Sequence, residues 1–395
     1  MSTNIKLLVE KQYEEVVALR RYFHTYPEVS GQECNTQRKI LEELVALGLN
    51  PHKAAGTGVV AEIKGGYPGK TVALRADMDA LLLQDECAQP YRSQNIGVCH
   101  ACGHDGHIAM LLGAAKVLYA LRKHLSGNVR LLFQPSEETF TGGACDLIAE
   151  GELAGVETIV GAHLWQSLPF GKIGISYGRM MAAPDEFSIT IQGHGGHASM
   201  PQQTVDPIMT GVEVVQALNT IICRNIDPLE PALLSIGCFK AGEVYNIIPD
   251  TAVIKGTVRS FEEQVRQQIF YNIERKVQGI CAAAGAEYNI IKKIGYGPVI
   301  NDPAVTAVVA QAGCATLGED CLLEIKPVMG GEDFSCYQEK IPGAFFFVGI
   351  GDTDKGIYPN HHPKFDMNEQ ALAYGMEVMV RAAINILEGF ATSSK

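Results

Sequence analysis

A chain of 395 residues is too long for one ordinary hydrophobic core and predicts two domains. With 47% hydrophobic and 19% charged residues it reads as globular, and a formal charge of -12 leaves no basic face for nucleic acid and disfavours anionic lipid. Eleven cysteines without framework spacing, a charged start (MSTNIKLLVEKQYEE) and no apolar run near the ~20 residues of a membrane span predict a reducing, cytoplasmic setting.

Apolar residues at helical spacing predict two helices within residues 1–50. Strand-like runs then alternate with helical ones: GVVAEIKG, TVALRAD, a helix from Gly106 to Leu121, NVRLLFQP, a short helix at Ala144–Glu150, and TIVGAHL. This rhythm predicts an α/β sheet with parallel strands. After Pro184 the style changes to β-α-β-β-α-β, the split arrangement of a ferredoxin-like sandwich, through residue 296. One helix there is predicted over DPIMTGVEVVQALNTIIC. The α/β style then resumes with a helix at Pro303–Leu317, the strand AFFFVGI and a helix from Asn368 to Leu387. The expected fold is an α/β/α catalytic domain built from residues 1–183 and 297–395, interrupted by an α+β module at 184–296.

In open α/β sheets, ligands bind beyond the carboxyl ends of the strands. Asp77 and Asp79, Glu137 and Glu138, His163, and His361 with His362 all follow predicted strands, and HACGHDGH (100–107) leads into the helix after Asp79. Alone, each is an ordinary feature: a hydrogen-bonded loop histidine, a solvated glutamate pair, a small buried thiol. Together they offer a Cys-x-His, a Glu-Glu and two further histidine loops, the donor types that zinc accepts.

Seven motifs in order, ALRADMDAL, HACGHDGH, LLFQPSEE, GAHLW, GHGGHAS, YNIIPDTAVIKGTVRSF and GGEDF, give the chain its resemblance to a known family. It resembles the metal-dependent amidohydrolases that include hippurate hydrolases, N-acyl-amino-acid deacylases and auxin-conjugate hydrolases, within the superfamily of aminoacylases and dinuclear-metal carboxypeptidases. The resemblance implies two divalent ions, zinc or manganese, held by Cys102, His104, Glu138, His163 and His361, with Glu137 as general base. Five side chains make eight bonds, four per ion, if the Cys102 thiolate and a water each bridge the pair. The inserted module is implied to be a lid and dimerisation domain, in a homodimer. In that module His197, Asn246 and Arg259 match residues that meet the substrate; His197 stabilises the oxyanion and can reach the partner's active site. Asp79 or Asp105 is expected to orient a ligating imidazole from behind.

The expected reaction is hydrolysis of N-acyl-L-amino acids, with Arg259 as a fork for the free carboxylate. The alternative is a dipeptidase or carboxypeptidase on the same metals, with Asp185 or Glu186 as anchor for a substrate amine. His107 and His194 read as hydrogen-bonding residues, His362 rivals His361 as ligand, and Glu332 sits on a glycine loop expected near the site. Leu82, in place of the family's usual proline, and Phe140, where a glycine run is common, depart from the pattern without removing a ligand.

Overall fold

The computed structural model describes residues 2–389, which divide into two compact units. The larger comprises the chain up to Met180, Val299–Pro327, and the chain from Asp333; the smaller comprises Met181–Pro298 and Val328–Glu332.

An eight-stranded mixed sheet forms the centre of the larger unit, in the order His52–Ala54, Gly58–Lys64, Ser126–Gln134, Tyr67–Asp77, Thr158–Pro169, Gly343–Gly351, Ile173–Ile175, Leu322–Glu324. The middle strands Ser126–Gln134, Tyr67–Asp77, Thr158–Pro169 and Gly343–Gly351 run parallel. Among them Gly343–Ile350 is an unbroken apolar run, buried throughout, as expected of a strand covered on both faces. Phe345, Phe346 and Phe347 are among the largest fully buried side chains, and each stabilises the core by roughly 1.5–3 kcal/mol. The helix His104–Leu121 carries apolar residues on all sides and is buried almost along its whole length, against Ser2–Thr25 and Gln370–Leu387. The short strands Ile173–Ile175 and Leu322–Glu324, of which the second is an edge, are too brief to give a periodic signal.

In the smaller unit four antiparallel strands lie in the order Ala232–Ala241, Thr251–Ser260, Ala183–Gln192, Glu287–Ile294. The helices Pro207–Asn219 and Glu263–Ala284 share with them a core that includes Phe187, Ile189, Val214, Ile254, Ile269 and Ile273. This is the ferredoxin-like split arrangement. Asp206 starts the first helix by accepting the N–H groups of Ile208 and Met209, with Pro207 in the first turn. The single helix expected here is broken at Thr220, whose hydroxyl bonds the Ala217 carbonyl, and a second short helix runs Ile221–Asn225. No described helix is long and apolar enough to cross a membrane.

Candidate metal centre

The centre is assembled at the carboxyl ends of the parallel strands of the larger unit. Strand Tyr67–Asp77 leads to Asp79, strand Ser126–Gln134 to Glu137 and Glu138, and strand Thr158–Pro169 carries His163. His104 opens the buried helix His104–Leu121, two residues after Cys102. His361 lies in the loop after Gly343–Gly351.

Two groups of side chains come together around one sulfur. Cys102, His104 and His163 form one, all buried; Cys102, Glu138 and His361 form the other. The Cys102 Sγ lies 3.4 Å from His163 Nε2 and 3.3 Å from His361 Nε2, and Glu138 Oε1 lies 3.2 Å from His361 Nε2. The imidazoles are turned by their other nitrogens. His104 Nδ1 is 2.9 Å from the Asp79 carbonyl and His163 Nδ1 is 2.9 Å from the Leu164 carbonyl, so each leaves Nε2 facing the centre. His104 Nε2 and Glu138 Oε1 are buried without a hydrogen-bond partner. An unmatched buried polar atom costs about 1–3 kcal/mol, and a cation in their midst removes that cost.

The electrostatics agree. Burial, then Glu138, Glu137 and Asp77, holds the Cys102 thiol well above its usual range. Burial works against a charged His104, but Asp77 and Asp79 outweigh it and raise the ring to about 10. Four carboxylates and a thiol therefore surround a space that favours positive charge, and a divalent ion in such a set deprotonates the thiol and displaces the ring proton. The residues fit a pair of divalent ions.

Behind the centre lie two buried networks. In the first, Asp79 Oδ1 accepts the Glu137 N–H (3.1 Å), and Oδ2 accepts the Glu138 N–H (3.0 Å) and the Ser30 hydroxyl (2.6 Å). Asp79 thus fixes the glutamate loop with its carboxylate and His104 with its carbonyl. In the second, Asp77 Oδ1 is 2.6 Å from His107 Nδ1, and His107 Nε2 accepts the Leu164 N–H at 2.9 Å, beside His163. Arg75 bonds Asp77, Asp333 and Gln134, all buried. Burial raises both carboxyls, but His104, His107 and Arg75 together pull Asp77 well below its usual range, whereas for Asp333 burial wins.

Asp105 corrects one expectation. Its side chain turns to Arg20 (2.9 Å) and His24 (2.7 Å), not to a ligating imidazole, because neighbours on a helix point about 100° apart. His362 stacks on Tyr358 and accepts the Lys364 N–H, turned to other partners than the sulfur. His100 is buried, and burial first of all pushes it down to about 3, so it is a neutral core ring. Beside Glu332, singled out in the sequence, Asp333 holds the Arg75 network.

Asn360 gave no sequence signal, because its partners are remote along the chain. Its side-chain amide donates to the carbonyls of Cys102 (3.0 Å) and Leu164 (3.2 Å), and its oxygen accepts the Gln166 N–H (3.3 Å). Three loops are tied by one side chain. Among the described residues, two of the three non-glycine positions with positive φ lie here, Ser136 (56°) and His361 (67°), a conformation that surrounding contacts must hold.

The remaining expected residues lie in the smaller unit. His197 and Asn246 are exposed neighbours: His197 pairs with Ile247, and Ala198 N–H donates to the Asn246 carbonyl at 3.1 Å. Arg259 is half-buried and bonds Thr257 Oγ1 and the carbonyls of Val258 and Asp185, with no carboxylate at ion-pair distance among the described residues. It pairs with Pro184 at one end of the sheet, whereas Thr251 pairs with Gln192 at the other, the end from which the chain continues to His197. Eight residues of strand separate those ends, roughly 26 Å.

Residues 73–385 match Peptidase family M20/M25/M40. The chain belongs to that family. An N-acyl-L-amino acid amidohydrolase of Geobacillus stearothermophilus is 48% identical over 298 residues, 75% of this chain and 80% of its own. The thermostable carboxypeptidase 1 of Saccharolobus solfataricus is 41% identical over 91% of this chain and 92% of its own. A crystal structure of a Bacillus subtilis protein described as a dinuclear metal binding peptidase of the M20 family superposes with a TM-score of 0.83 at 35% identity, covering 96% of this chain and 99% of that one. This M20 chain is accordingly an amidohydrolase, an enzyme of amide bonds that uses two divalent metal ions.

Proposed function

We propose that the enzyme hydrolyses N-acyl-L-amino acids, releasing a carboxylic acid and the free amino acid. Cys102, His104, Glu138, His163 and His361 hold the ions, zinc or manganese, and the sulfur and imidazoles favour zinc. Ions held there would acidify a water and polarise the amide carbonyl. Glu137, buried and fixed through its backbone by Asp79, takes the proton of the attacking water and returns it to the leaving nitrogen. His197 donates to the developing oxyanion, a contribution of about 3–4 kcal/mol for one such donor. Arg259 receives the substrate's carboxylate, and Asn246, beside His197, serves that group or the oxyanion.

The observation that carries the acyl-amino-acid reading is the state of the charged groups in the smaller unit. Arg259 has no carboxylate at ion-pair distance among the described residues, so it is available to a carboxylate from the substrate. Asp185 is not available to a substrate amine: it is buried and bound to Arg266 at 2.9 Å and to the Gly295 N–H at 3.0 Å. Glu186 is 3.7 Å from Lys293. A dipeptidase needs an anion for its substrate's ammonium, and those two candidates are engaged. The relatives named above support both amidohydrolase and carboxypeptidase chemistry, and the charge argument favours acylated substrates over dipeptides with a free amine.

The smaller unit, Met181–Pro298 with Val328–Glu332, serves as the lid and dimerisation domain, and the inserted segment 184–296 expected from the sequence makes up most of it. The separation of Arg259 from the His197 end supports a homodimer in which each lid gives Arg259 to one active centre and His197 to the other. The setting is cytoplasmic, consistent with eleven cysteines that are all free thiols.

N-acetyl and N-benzoyl amino acids assayed in parallel with dipeptides test the reading. The acylated substrates are expected to turn over faster, and Arg259→Met to raise their KM; preference for dipeptides overturns it. Glu137→Gln should keep two metal equivalents and lose about 10³-fold in kcat, within the range for general bases.

A further inference from the structure

Cys145 and Cys336 take no part in the metal centre. Cys145, exposed, lies on the short helix Ala144–Ala149, and Cys336, buried, on Ser335–Gln338. Their sulfurs are 3.0 Å apart although 191 residues separate them in sequence. That is only about 1 Å longer than a disulfide bond. We propose that Cys145 and Cys336 form an oxidisable dithiol that reacts with a low-molecular-weight disulfide and closes to an intramolecular disulfide in the folded, metal-loaded enzyme.

The surroundings favour closure without rearrangement. Ala144 N–H donates to Asp333 Oδ2 at 3.0 Å, so the residue before Cys145 is bound three residues ahead of Cys336. Gly142, at φ +67°, approaches Asp333 so closely that a Cβ would lie 2.4 Å from its Oδ2. Gly143 N–H bonds the Ser136 carbonyl at 3.1 Å, which closes the loop that begins with Glu137 and Glu138. Both thiols are thus held on backbone already seated together, and their bond staples the glutamate loop to the Asp333 segment.

The chemistry balances with a disulfide RSSR as oxidant. The exposed Cys145 thiolate attacks one sulfur of RSSR, forming a mixed disulfide and releasing RS⁻. The Cys336 thiolate then attacks the Cys145 sulfur and releases the second RS⁻. The two protein protons end on the two RSH, the protein thiols are oxidised and RSSR is reduced. Burial, then the bond to Cys145 and the charge of Asp333, pushes the Cys336 thiol up, so the second step accelerates with rising pH.

The test treats the full-length metal-loaded enzyme with oxidised glutathione, blocks remaining thiols in denaturant, and maps peptides by mass. The expected result is a protein two hydrogens lighter with the peptides of Cys145 and Cys336 joined, a higher Tm, and reversal by dithiothreitol. Cys145→Ser and Cys336→Ser should each abolish the joined peptide while retaining both metal ions. Glutathione remaining on Cys145 with no joined peptide overturns the proposal. So does oxidation that joins other cysteines, such as Cys314 with Cys321, in its place, or a joined peptide found only with metal loss and a lowered Tm, which marks a bond made in unfolded chain.

Discussion

Asn360→Ala removes a side chain that touches no metal, yet should weaken metal binding. The substitution deletes two bonds to backbone carbonyls, at Cys102 and Leu164, and one from the Gln166 N–H. At about 1 kcal/mol net for each, the loss is about 2–3 kcal/mol, at the lower end where water re-enters a half-buried loop. His361 also sits at φ 67°, a backbone state that costs about 1–3 kcal/mol unless its surroundings impose it. Freed from Asn360, the His361 loop relaxes away from Cys102. The metal dissociation constant should therefore rise by about 30–100-fold, because 1.4 kcal/mol is a factor of ten. Competition against a chromophoric chelator measures it, and cobalt substitution adds a readout in the sulfur-to-metal absorption band, which should lose intensity. Asn360→Asp, which sets a carboxylate oxygen against both carbonyls, should weaken metal binding at least as much as alanine. An unchanged metal affinity beside a lowered urea midpoint would refute the reasoning and leave Asn360 a plain loop tie.

Arg75→Met strands Asp77 and Asp333, both fully buried, and should destabilise the protein by about 3–5 kcal/mol in chemical unfolding; adding Asp333→Asn should recover part of it, and strict additivity would show that the two do not interact. The His24 ring lies between Asp105 (2.7 Å) and Asp85 (3.4 Å), with Arg20 and Tyr91 also against it. Burial and Arg20 oppose its charge, but Asp105 and Asp85 outweigh them and raise its pKa. A raised pKa gives stability that is complete below the unfolded value of about 6.5 and is lost as pH rises through the folded value. His24→Gln should therefore show its largest Tm deficit below about pH 6.5, shrinking in alkaline buffer; a deficit that grows with pH contradicts a charged His24.

Much of the fold was legible because its signals are local. The apolar strand AFFFVGI and the helical stretches at Pro207–Asn219 and Pro303–Leu317 are properties of short segments. The candidate metal donors were legible as residue types after strands, and the structure brings Cys102, His104, Glu138, His163 and His361 together in two groups around one sulfur. What escaped depends on contacts across long separations. Asn360 lies 258 residues from Cys102, and Asp333, although within GGEDF, is 258 residues from Arg75, so neither one's partner is marked by its own neighbourhood. Asp105 was misjudged because adjacency to His104 in sequence does not mean adjacency in space on a helix. The break at Thr220 went unseen since the apolar period continues through it.

The account rests on one sulfur serving two ions, and anomalous diffraction from crystals loaded with zinc addresses that directly. Two peaks are expected per chain, each within about 2.3 Å of the Cys102 sulfur, one shared with His104 and His163 and the other with Glu138 and His361. A single peak, or two peaks with Cys102 remote from either, would contradict it.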